Sequence, residues 1–162
     1  MLGPGGTNGT LVGNQTGTNV DRSGVQWLRF KIESAGMLTY DTHGRVFDRA
    51  RSNALYYYFP SLMVNCAGDM VTGFSGSSTT TYIGAYFTYR PRGGVVLDPP
   101  RLIRSGVTNY VSESPWWGDH SATTLDPTDD ATFWTVQEFA GFGDPDLPWA
   151  TVIARMQANP QP

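Results

Sequence analysis

The sequence predicts an all-β chain organised as a partial β-propeller of about two to two-and-a-half four-stranded antiparallel blades. Three observations lead there. From Gly24 onward, aromatic and β-branched residues alternate with polar ones at period two, the pattern of half-buried strands. The 19 glycines and 11 prolines, with Asn and Asp clusters, punctuate those runs and leave no stretch of helical period. The order of strands and turns also recurs. Ser61 lays onto Ser121, Tyr82 onto Trp149 and Val25 onto Tyr82, with the drift absorbed in loops, and such a unit buries its faces only against its neighbours.

Residues 1–23 are small and polar without a period, and read as a flexible or edge segment. Val25–Ile32 carries apolar groups on both faces, so it requires cover on two sides. Gly36–Tyr40 is its partner after a turn at 33–35. Ser61–Val64 and Met70–Ser75 flank Asn65-Cys66-Ala67-Gly68-Asp69, whose residues tolerate positive φ, and form a hairpin. Tyr82–Arg90 is a strong strand closed by Pro91-Arg92-Gly93-Gly94, and Arg101–Ile103 follows it. The last unit runs through Ser121–Leu125, a turn at Asp126–Asp130, Thr132–Phe139 and Trp149–Met156. The blades therefore occupy 24–157, with 158–162 as a tail. A short open stack would expose apolar faces at both ends, so remaining blades or other chains are expected to cover them.

A length of 162 residues suits one compact unit. A formal charge of −3 argues against a nucleic-acid partner. No apolar run reaches the roughly 18 residues of a membrane span, and the start of the chain carries no signal-peptide pattern. Cys66 is the only cysteine, which excludes an intrachain disulfide and a cysteine metal cluster.

Trp117-Gly118-Asp119-His120-Ser121, then Asp126-Pro127, Asp129, Thr132-Phe133-Trp134, Glu138-Phe139 and Trp149 to Ile153, form a spaced series. It resembles the C-terminal blades of bacterial sialidase-like (BNR/Asp-box-like) propeller proteins. Phe59-Pro60-Ser61, Gly68-Asp69, Gly73-Phe74-Ser75 and Tyr89-Arg90 match the blade before. The chain departs from that pattern at Trp116, where the family usually has Arg, and at His120, where it has Tyr. The resemblance implies extracellular or periplasmic recognition of a glycan or protein ligand. It also implies that ligand-facing loops lead into each innermost strand, at Tyr56–Pro60 and Glu113–His120, and leave each second strand, at Ser75–Thr81 and Glu138–Pro148.

Ring planes beside carboxylates suit sugars, whose apolar faces stack while their hydroxyls need partners. The candidate ligand-binding residues are Tyr58, Trp116, Trp117, Asp119, His120 and Glu138. Asp119 is also expected to accept backbone N–H groups at the start of the inner strand. No cofactor and no metal are expected. Asp126, Asp129 and Asp130 read as caps of their turn, with a Ca²⁺ site as the alternative, which Asp144 and Asp146 would join only if loops converge.

Glycoside hydrolysis would draw on Tyr110, Glu113, Glu138, Asp119, Arg90 and Arg104, yet no diagnostic motif places them. Asp119-His120-Ser121 cannot act as a relay, because adjacent residues of a strand point to opposite faces. Recognition without turnover is the expected function. An exo-glycosidase completed by further blades, and a structural scaffold, are the alternatives.

Overall fold

The computed structural model describes residues 22–94, 96–111, 117–144 and 147–158. The expectations placed on Glu113, Trp116, Asp146, the first 21 residues and 159–162 lie outside them. The strands are β1 (Val25–Ile32), β2 (Leu38–Val46), β3 (Tyr56–Val64), β4 (Met70–Ser78), β5 (Thr81–Arg90), β6 (Arg101–Arg104), β7 (Ala122–Leu125), β8 (Thr132–Asp144) and β9 (Leu147–Gln157). They form three antiparallel sheets in simple chain order: β1-β2, β3-β4-β5-β6 and β7-β8-β9. No sheet closes on itself, and no helix occurs among the described residues. The chain is all-β.

Several elements run further than local pattern suggests. Strand β2 begins at Leu38 and continues past Tyr40 to Val46. A register shift between Arg29 and Phe30 admits Asp41 as an extra residue, and Asp41 takes ion pairs from Arg29 and Lys31. Tyr56–Pro60, expected as a loop, is the first half of β3. A register shift between Tyr58 and Ser61 lets that strand pass Phe59, at φ 50°, and Pro60, which has no N–H to donate. The expected loops at Ser75–Thr81 and Glu138–Pro148 are likewise mostly strand, since β4 runs to Ser78 and β8 to Asp144.

The sheets stack face to face. β1 meets β3 across the first seam, while β3 lies over β7, β4 over β8 and β6 meets β9 across the second. The middle sheet is covered on both sides, so β4 is buried from Met70 through Gly76. Its period-two alternation sends Phe74 into a cluster with Val25, Val46, Tyr57 and Tyr86. Val71, on the other face, packs with Phe133 and Ala158. The outer faces of the stack stay open: Phe30 is 50% and Ile32 78% exposed on β1, and Ile153 is 68% exposed on β9.

The second seam also holds a polar network. Gln137 is fully buried and donates through Nε2 to Ser61 Oγ and Thr135 Oγ1, both at 2.9 Å, while its Oε1 accepts from Ser121 Oγ. Thr123 Oγ1 lies 2.8 Å from Ser61 Oγ and 2.9 Å from Thr135 Oγ1. Gly73 makes room for this network, because a Cβ there would sit 2.3 Å from Gln137 Nε2. The turns of neighbouring sheets are tied as well: Cys66 N donates to the Asp130 carboxylate and Asn65 Nδ2 to the Asp130 carbonyl.

Candidate functional site

The segment Trp117–Ser121 leads into β7 and is held beside β8 at Glu138. Its anchor is Glu138 on β8, only 4% exposed. Glu138 Oε2 accepts from Gly118 N at 2.7 Å and Oε1 from His120 N at 3.1 Å. Both oxygens of one buried carboxylate therefore fix the segment, since backbone donors satisfy a charge that burial would otherwise penalise. Asp119, expected in that anchoring role, is instead exposed to solvent. The reason is parity and reach: the carboxylate beneath the segment comes from the neighbouring strand.

Gly118 has φ +100°, and a Cβ on it would lie 2.3 Å from the Phe59 ring. Glycine is required there for both reasons. Ser121 Oγ also lies 3.1 Å from the Phe59 carbonyl, its one proton shared between that oxygen and Gln137 Oε1, which ties the segment to the distorted stretch of β3.

Two aromatic pairs flank this anchor on opposite sides. Trp117 turns toward the middle sheet, where its indole N–H donates to Ser75 Oγ at 3.0 Å and its ring meets Tyr110 edge-on at 4.8 Å. Tyr58 shares that side, because it pairs with Ser75 across β3 and β4 and its hydroxyl lies 2.8 Å from Ser77 Oγ. Burial pushes the Tyr58 phenol above its ordinary pKa. His120 turns to the outer face of the third sheet and stacks on Trp149 at 4.9 Å, with 25° between the planes. An open depression of about 500 Å³ lies beside that pair, lined also by Asp119, Ser121, Val136 and Thr151.

The predicted set is thus divided. Tyr58 and Trp117 belong to the seam side, and Asp119 and His120 to the outer side, which Glu138 shares as a buried strut because it alternates with Gln137 and pairs with Thr151. Trp149, which the sequence places at the start of a strand and in the resemblance series but not among the candidate site residues, is exposed, and an exposed Trp near a strand end is the kind of residue a ring-stacking site uses.

Of the described hydrolytic candidates, Arg90 lies apart from the others. Arg90 is buried in the first seam with its guanidinium 5.1 Å from the Trp27 ring centroid. It pairs with Met70, at the end of β4 away from Ser75. Arg104 lies over Phe139 at 5.4 Å, and Tyr110 packs on Trp117.

Of the aspartates of the β7–β8 turn, Asp126 and Asp129 are spent on the turn itself and Asp130 on Cys66 N of the neighbouring sheet. Asp126 accepts from Thr128 N and Oγ1 and from Trp134 Nε1, and Asp129 from Ala131 N, Thr132 N and Thr132 Oγ1. These bonds, led by the Thr128 hydroxyl, lower the Asp126 pKa to about 2. Among the described residues no three His, Cys, Asp or Glu side chains are grouped to hold a metal ion. No helix among them is long and apolar enough to cross a membrane. Comparison with family models, with characterised proteins and with solved structures yields no match.

Proposed function

We propose that the chain forms consecutive blades of a sialidase-like β-propeller that recognises a glycan or a protein outside the cytoplasm, without turning it over. The strand-over-strand stacking of the sheets supports the blade reading, as do the open apolar outer faces, which further blades or other chains would cover. The observation that carries the recognition reading is the His120–Trp149 stack beside an open depression with the Asp119 carboxylate at its rim. Ring planes next to a carboxylate and hydroxyls offer a sugar both its stacking surface and its hydrogen-bond partners. Recognition is favoured over turnover because Glu138 has each oxygen committed to a backbone N–H, which leaves it poorly suited to exchange a proton with substrate.

The test is a glycan array probed with the full chain and with Trp149→Ala. Retention of a defined glycan by the parent and its loss from the variant is the expected result. Equal retention by both would remove the site from the reading. Release of the aglycone from an aryl sialoside by the chain alone would overturn its noncatalytic half.

A further inference from the structure

A second surface lies on the first sheet, formed by different residues from the Trp117–Ser121 segment. Two adjoining depressions of about 540 and 390 Å³ share Arg45, Val46, Phe47 and Arg49 at the end of β2, and so form one trough. The larger lobe is lined by Arg22, Arg45 and Arg49, and no carboxylate is among its described lining residues. That concentrates positive charge in one place on a chain whose formal charge is −3. We propose that this trough binds an oxyanion, a carboxylate or phosphate group, carried on a small ring-bearing molecule.

Two of the three guanidinium groups are held in place. Arg22 NH1 donates to the carbonyls of Asp48 at 2.5 Å and Ala50 at 2.7 Å. The Arg49 guanidinium lies 5.6 Å from the Phe47 ring centroid. Fixing these forks in advance reduces the side-chain entropy lost on binding, and a planar guanidinium matches the paired oxygens of a carboxylate or phosphate. The smaller lobe is lined by Tyr57, Leu97, Pro99 and Pro100, an apolar wall for the ring of the ligand.

Two carboxylates also border that smaller lobe; Asp48 lies near enough to Arg22 to offset part of its charge, which leaves Arg45 and Arg49 as the principal anion-binding groups. Asp48 accepts from Ala50 N at 2.9 Å and Leu55 N at 2.8 Å, and Asp98 faces Arg101 at 3.5 Å. The anion therefore belongs at the arginine lobe and the ring at the proline lobe.

Calorimetric titration of the full chain with inorganic phosphate, glucuronate and glucose, at low and high salt, tests this. The parent is expected to bind phosphate, glucuronate or both saturably, more weakly in high salt, and to ignore glucose. Which anion binds identifies the source of the oxyanion. Arg45→Gln with Arg49→Gln is expected to weaken binding about tenfold or more, whereas Arg92→Gln with Arg155→Gln, removing equal charge elsewhere, should change it less than about twofold. Arg45 is exposed, so Arg45→Gln alone keeps the test readable if the double variant is unstable. Absence of saturable binding by the parent, or equal losses in both pairs, overturns the proposal. So does unchanged anion binding accompanied by altered sedimentation, which would assign the arginines to a protein contact.

Discussion

The two seams of this molecule solve the same packing problem with different chemistry. The first buries rings: Tyr57 meets Phe74 edge-on at 5.0 Å, and Phe74 stacks on Tyr86 at 6.4 Å. It also contains Trp27 Nε1, Thr72 Oγ1 and Arg90 Nε, buried with no hydrogen-bond partner. The second seam, beside its apolar cluster of Val71, Phe133 and Ala158, also buries hydroxyls and an amide, and connects them across β3, β7 and β8 through Ser61, Thr123, Thr135, Gln137 and Ser121. A ring-filled seam tolerates small rearrangements, because dispersion is nondirectional. A hydrogen-bonded seam fixes register, because each buried partner costs free energy when left alone. The loop carrying Trp117 and His120 stands on the second seam, through Ser121 and Gln137. Candidate recognition therefore rests on the more sharply specified of the two interfaces.

The largest break in this comparison should come from Phe74→Ala. Phe74 is fully buried in the first cluster, and its loss should destabilise by about 3–5 kcal/mol in chemical denaturation. A matched pair then separates the seams. Thr72 and Thr135 are equally buried at 1% exposure, but only Thr135 has hydroxyl partners, in Thr123, Gln137 and the Ala122 carbonyl. Thr135→Val should cost about 1–3 kcal/mol, because it strands those partners. Thr72→Val should fall within about 0.5 kcal/mol of the parent, or raise stability, because it removes an unpartnered hydroxyl. Equal losses in the two variants would erase the distinction drawn between the seams.

The smallest effect concerns acid. Asp126 titrates at about 2 in the folded chain against an ordinary 3.8. Its folded pKa is depressed, so its contribution is present above 3.8 and is lost as pH falls through about 2. Asp126→Asn should flatten the dependence of the thermal midpoint on pH across that window, and leave the profile at neutral pH parallel to that of the parent.

Much of the strand order was legible, and the exceptions are instructive. Strand β1 has the predicted bounds, Val25–Ile32, because its alternation is uninterrupted. Strand β2 reads as ending at Tyr40, since Asp41, His43 and Gly44 break the pattern. It continues because the Trp27 indole lies against Gly44, where a Cβ would come within 2.5 Å of Trp27 Nε1. Tyr56–Pro60 is a loop only by the resemblance; it is strand instead, and the irregular register at Tyr58/Ser61 accommodates Pro60. At the site, the aromatic residues were legible as types. Their division between the two faces of the third sheet was not, because it depends on which strand passes beneath the segment.

The sequence alone determines that this chain makes short antiparallel strands joined by Asn, Asp and Gly turns, since alternation and positive-φ tolerance are properties of neighbouring residues. Only the tertiary structure decides which face meets which. Gln137 is a strut of the second seam because Gly73, on another sheet, leaves space for it. His120 finds Trp149 because Glu138 draws the backbone down. Such pairings join residues far apart in the chain, and their energies depend on burial that no local pattern contains.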